Sequence, residues 1–140
     1  SDPYISIYGT YGVPVDSPAQ SVADVERLGL RIGGTPGSAY TLFLERELKS
    51  ARLVPYETND LVLAAMAAGE VDGFAGVREF VADIAATRPG VRLIDEPFMG
   101  IHQAMATLQG RPAGLQAIRD FIAEIRAEGL LDQIKARHGQ

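Results

Sequence analysis

The chain has 140 residues, 46% of them apolar, a formal charge of −5 and no cysteine. That is one domain, or one full lobe with part of another, and the apolar fraction is enough for a core. An acidic balance without a basic cluster argues against nucleic acid and anionic membrane partners; no apolar run matches a membrane span, and disulfides and thiolate metal sites are excluded.

The chain opens abruptly on Ser1-Asp2-Pro3-Tyr4, as if cut from a longer polypeptide, with no signal-peptide pattern. Residues 4–15 are aromatic and β-branched with partial alternation, which predicts a strand or connecting ribbon, bent at Gly9 and Gly12 and ending at Pro14. Ser21 with Asp24 three positions on resembles a capping box, opening a short helix through Leu28 that Gly29 stops.

The organising stretch follows. Residues 28–32 read as a short buried strand, broken by Gly33 and Gly34. Pro36 forbids helix at Thr35 and sets a turn, and Ser38 is placed to cap a helix carrying Leu42, Phe43 and Leu48. A helix start has unpaired N–H groups and a positive dipole end, so this corner can hold an anion, helped by the hydroxyls of Thr35 and Ser38 and the N–H groups around Gly37. The plainer alternative is that the glycines turn the chain and Ser38 caps the helix.

A second strand is expected at 52–56, a helix capped by Thr58-Asn59-Asp60 and ending at Gly69, and a third strand at 71–75. A helix over 77–87, a break at Arg88-Pro89-Gly90, a strand at 91–94 and an extended segment at 98–108 come next. Leu115, Ile118, Phe121, Ile122 and Ile125 mark an amphipathic helix, and a short helix with Leu130, Leu131 and Ile134 follows Gly129. Strands alternating with helices predict an α/β fold, a mostly parallel sheet with helices on both faces, whose ligands bind beyond the carboxyl ends of the strands. Two loosened corners leave those ends, residues 33–38 and 73–78, and together they nominate one crevice.

In this order the segments resemble the C-terminal portion of the family 3 extracellular solute-binding proteins, the type 2 periplasmic fold of polar amino-acid ABC importers. Residues 21–30 resemble its "S…DL-x-G" helix, and Ile32-Gly33…Gly37-Ser38 resembles "VGV-x-x-GT". Met66 to Phe74 resembles "L-x-x-G-x-VDAV", and Glu128-Gly129-Leu130-Leu131-x-x-Ile134 resembles "DG-x-L-x-x-I". The resemblance implies that residues 1–105 are a second lobe with hinge segments at both ends, 8 to about 99 forming the lobe and 100–105 the return hinge. Residues 106–140 would be C-terminal helices that pack on a first lobe, most of which this chain lacks. It also implies a periplasmic location and an inner-membrane ABC permease as partner, no catalysis and no cofactor.

Two departures qualify this. Lobes of the family close on the solute from both sides. A micromolar site represents about −8.2 kcal/mol, and half of that is worse than millimolar. The chain alone is therefore expected to bind weakly unless a second copy supplies the missing wall, and the surface facing the first lobe is expected to drive homodimerisation, by exchange of the C-terminal helices. Secondly, the family's aspartate for the solute's α-ammonium aligns with Val77, beside Arg78. Burying an ammonium without a counter-charge costs several kcal/mol, whereas Arg78 offers a carboxylate a bidentate fork. An anionic solute, an organic acid or a molecule gripped by its carboxylate, is the expectation. The alternative is that Arg78 merely heads a helix in water.

His102 and Gln103 fall on the proposed return hinge and are candidate ligand contacts, although a lone histidine is more often a satisfied hydrogen-bonder. Asp72 reads as a structural brace. Tyr4, Tyr8 and Tyr11 could stack on a solute or simply pack. His102 and His138 are distant, so no metal site is expected. Ser38 is in no GxSxG elbow, and the glycine turn lacks the lysine of a P-loop. The same resemblance extends to cyclohexadienyl dehydratases and to ligand-sensing domains of regulators and receptors, which stand as the enzymatic and sensory alternatives.

Overall fold

The computed structural model describes residues 1–138. The alternation of strands and helices resolves into β1 (Ile5–Pro14), α1 (Val22–Arg27), β2 (Arg31–Gly34), α2 (Ala39–Glu47), β3 (Arg52–Pro55) and α3 (Asn59–Ala67). It continues through β4 (Gly73–Val77), α4 (Arg78–Thr87), β5 (Val91–Leu93), β6 (Met99–Gln103), α5 (Pro112–Ala127) and α6 (Leu130–Arg137). The sheet order is β3-β2-β4-β1-β5, with β6 paired to β1. β2 runs parallel to β3 and β4, while β1 is antiparallel to β4 and β5. Four strands thus point one way, with the first strand inserted between β4 and β5 against them.

Contacts divide the chain into two units, Tyr8–Ile101 and Ser1–Ile7 with the chain from His102. In the larger unit, neighbouring side chains of a strand face opposite sides of the sheet, so Ala75 and Phe74 enter two different clusters. Tyr11, Val13, Val25, Ile32, Tyr40, Leu44 and Ile94 form the cluster beneath α1 and α2. Val62, Leu63, Phe74, Val81, Ile84 and Val91 form the one beneath α3 and α4.

Three strand boundaries differ from the sequence reading. The strand expected at 71–75 is β4 at Gly73–Val77, so residues 73–77 of the second corner are strand rather than loop and the chain turns directly into α4. The strand expected at 28–32 is β2 at Arg31–Gly34. Leu28 instead closes α1, and Gly29 takes φ 61° before the strand begins. Gly33 and Gly34 therefore lie within the strand rather than breaking it. A Cβ on Gly33 would come 2.6 Å from Val62 Cγ1, and one on Gly34 2.7 Å from Thr41 Cγ2. Both glycines admit close helix approach, one on each face. The extended segment expected at 98–108 is β6 only as far as Gln103. Arg111 then precedes α5, which carries proline in its first turn.

In the smaller unit, α5 buries Ile122 and Ile125, and α6 buries Leu131. The Tyr4 N–H donates to the Gln103 carbonyl (2.9 Å), and the Arg126 guanidinium donates to the Pro3 carbonyl (2.7 Å). Leu108, Phe121, Leu130 and Ile134 remain exposed.

Candidate functional site

β2 and β4 are adjacent and parallel, with Gly33 opposite Phe74. Their carboxyl ends therefore reach the same edge of the sheet, and the segments Thr35–Ser38 and Val77–Arg78 leave from it together. β5 runs in the same sense, so Asp95, just beyond Ile94, follows from that edge as well.

At the first corner, Gly37 adopts φ 76°, the left-handed conformation that glycine accepts without strain. The Ser38 hydroxyl donates back to the Thr35 carbonyl at 2.8 Å and lies 2.8 Å from the buried Thr41 hydroxyl. It makes no capping bond to α2. Ser38 thus differs from the expected cap: its hydroxyl ties the loop instead. The first intrahelical bond runs from the Leu42 N–H to the Ser38 carbonyl, which leaves the N–H groups of Ala39, Tyr40 and Thr41 without helical partners. The Thr35 hydroxyl donates to Asn59 Oδ1 at 3.0 Å. Asn59 escaped the sequence reading, which took it for part of a cap; the capping itself is done by Thr58, whose hydroxyl accepts from the Leu61 N–H.

At the second corner, Val77 is the N-cap of α4 in extended conformation and offers no side-chain bond. Arg78 does not stand free in water. Its Nη2 donates to Asp95 Oδ1 at 2.5 Å and its Nη1 to the Asp95 carbonyl at 3.3 Å. Asp95 was not singled out from the sequence; the acidic Asp95-Glu96-Pro97 turn after a strand was the available signal. The turn is fastened from below. The fully buried Thr10 hydroxyl reaches the carbonyls of Ile94 (2.6 Å) and Glu96 (3.1 Å), and the Val22 N–H donates to Glu96 Oε2. One residue beyond Arg78, Glu79 has a buried Oε2 with no hydrogen-bond partner.

The structure groups Thr35, Gly37, Ser38, Val77 and Arg78 on one edge of the larger unit. His102 and Gln103 belong to the smaller unit, where both are exposed. There His102 Nδ1 sits 2.8 Å from the Ser6 hydroxyl. Tyr11 packs in the core with its ring centroid 4.6 Å from that of Phe98, and burial pushes its hydroxyl pKa far up. It is packing, not a stacking platform. A concavity of about 590 Å³ is in the smaller unit, lined by Ser1, Met105, Leu108, Arg111 and Leu115 among others; none of the candidate residues lines it.

Asp72 braces the opposite end of β2. Its carboxylate accepts from the Arg31 backbone N–H (2.8 Å), Nε (3.0 Å) and Nη2 (2.9 Å). These donors, the guanidinium first, hold its pKa below the usual carboxylate range. Glu26 likewise collects the N–H groups of Lys49 and Ser50 at 3.0 and 2.8 Å. Burial pushes its carboxyl up, but the backbone donors outweigh that and its pKa is lowered. Nothing in the sequence distinguishes Glu26 from any helix-surface glutamate.

No family model matches the sequence, and no curated protein does. Solved structures do match. A binding component of an ABC transporter from Wolinella succinogenes, complexed with lysine, superposes with a TM-score of 0.82 at 21% identity, over 97% of this chain and 60% of that one. An ancestral amino-acid-binding protein, a precursor of cyclohexadienyl dehydratase, gives 0.79 at 19%, over 100% and 61%. An arginine transport system periplasmic binding protein from Legionella pneumophila gives 0.76 at 20%, over 99% and 64%. The chain spans about three fifths of the length of these proteins and has their α/β fold.

Proposed function

We propose that this chain is the larger part of the solute-binding component of an ABC-type importer, working in the periplasm with an inner-membrane permease. Residues 1–105 act as the second lobe with its hinge segments, and residues 106–140 as helices that pack on a first lobe. The solute is small and polar, amino-acid-like or an organic acid, and is gripped by a carboxylate between the two corners as the lobes close. His102 and Gln103 remain candidate contacts on the proposed return hinge.

The observation that carries this reading is the pair of helix starts without side-chain caps, α2 and α4, at the ends of two adjacent parallel strands. α1 and α3 are capped by Ser21 and Thr58, whereas α5 and α6 also lack such caps, so what marks α2 and α4 is their shared edge of the sheet. The likeness to a protein complexed with lysine and to one named for arginine transport supports the amino-acid-like member of that class. An exposed helix dipole contributes only about 0.3–1 kcal/mol. Direct N–H bonds to a carboxylate, about 1.5–3 kcal/mol each, supply the larger share.

The test is Ala39→Pro. Proline suits the first helical position, and the extended Ser38 (φ −73°, ψ 151°) suits the residue before proline. The substitution removes one N–H donor while keeping α2. Calorimetric titration of the full-length, two-lobe protein with a panel of L-amino acids and small carboxylates is expected to show affinity falling ten- to a hundredfold with thermal stability kept. Unchanged affinity would remove the start of α2 from the site.

Glu79 favours one second reading. A carboxylate with an unpartnered buried oxygen at the start of α4 could serve as a general acid, in the manner of a cyclohexadienyl dehydratase. Turnover of prephenate or arogenate, lost in Glu79→Gln, would establish it; no turnover leaves the binding reading alone.

A further inference from the structure

Arg78 is bonded twice by one residue. The Asp95 carboxylate takes Nη2 and the Asp95 carbonyl takes Nη1, so the terminal edge of the guanidinium is occupied from within the chain. The two acceptors differ in mobility. The carbonyl belongs to a turn whose neighbouring carbonyls are held by the buried Thr10 hydroxyl and whose Glu96 side chain is bonded to the Val22 N–H. The carboxylate stands in water, its side chain 83% exposed against 38% for Arg78. Exposed ion pairs of this kind are weak and screened by salt.

We propose that the Asp95 carboxylate is a built-in substitute for the solute's acidic group. An incoming carboxylate displaces it from Nη2 while the Asp95 carbonyl goes on aiming the guanidinium. Asp95 thereby sets specificity. Every solute must exceed an internal competitor at Arg78, so a neutral or weakly anionic molecule gains nothing there, and a carboxylate gains only the difference between itself and Asp95. This rests on the proposed solute-binding role of the same edge.

The experiment uses the full chain, isotopically labelled, and sodium succinate as the probe at low salt, followed by NMR at the Arg78 guanidinium, the Asp95 carboxyl carbon and the amides of Thr35, Gly37, Ser38 and Ala39. At saturation the Asp95 carboxyl signal is expected to reach its position in Arg78→Gln, where it has no partner. Asp95→Asn keeps the carbonyl and the side-chain volume but removes the charge. It is expected to tighten succinate binding about two- to fivefold, a gain that disappears in the Arg78→Gln background and shrinks as salt is added. Weaker or unchanged binding in Asp95→Asn overturns the proposal, as does an unmoved Asp95 signal while residues 35–39 respond; in both cases the solute-binding reading survives. If succinate and the amino-acid panel leave residues 35–39 and 78 unmoved, the binding site itself is refuted and the competitor with it.

Discussion

Asp72 shows how a single carboxylate can look functional and be structural. It stands next to the strand that carries the candidate site, yet all three of its donors come from Arg31. Because its pKa is lowered by folding, its contribution is fully present above the unfolded value of about 3.9 and is lost as the pH falls through the lower folded value. Asp72→Asn is therefore expected to lower the urea midpoint at pH 7, with the difference from the parent chain shrinking as the pH falls below the unfolded value; a difference that does not shrink with acid would contradict the assignment. The glycines divide in the same way. A side chain at Gly37 would meet nothing within 4 Å, so an L-residue there pays only for its positive φ. A side chain at Gly12 would lie 2.3 Å from the buried Phe74 ring. Gly37→Ala is expected to cost roughly 1 kcal/mol and Gly12→Ala clearly more, compared by chemical denaturation. The sequence could reveal that glycine was needed at both positions, because glycine is recognisable in one chain. It could not reveal the reason, since Phe74 is brought to Gly12 by a strand pairing that no local pattern encodes.

At the scale of elements, α1 and α3 carry side-chain caps, whereas α2 and α4, like α5 and α6, do not. Thr58→Ala removes a bond to the Leu61 N–H and is expected to destabilise the larger unit by about 0.5–2 kcal/mol, seen as an earlier thermal transition, without altering solute affinity. α2 and α4 have no such side-chain bond to lose. The helices and strands were largely legible because apolar spacing and capping residues are local signals. The pairing of Arg78 with Asp95 was not, for it depends on β4 and β5 running in the same sense on either side of β1. The anionic-solute expectation drew on Arg78 as a free fork; its partner was hidden by that non-local geometry.

At the scale of the molecule, the smaller unit is poor in buried side chains. Ile122, Ile125 and Leu131 are its buried apolar residues among those described, while Leu108 is 68% exposed and Phe121, Leu130 and Ile134 are exposed too. Exposed apolar surface of this kind favours association. The chain alone is expected to self-associate at high concentration, and the double substitution Phe121→Ser with Ile134→Ser to return it to a monomer, as read by light scattering. A parent chain that stays monomeric would remove the homodimer expectation.

The place of β1 in the sheet also has a consequence in time. It precedes its partner strands in the chain, yet Tyr11 pairs with Ala75 and Val13 with Arg92, so it waits for most of the larger unit before it can be enclosed. Meanwhile the segment from β2 to β4 can assemble through nearer neighbours. A topology of this kind folds slowly, because a long loop must close before the late contacts repay it. Until then an aromatic, β-branched ribbon with both edges unpaired is open to aggregation. Its apolar residues are therefore a natural target for a chaperone that holds nascent chains, and refolding yield should fall with protein concentration well before native stability does.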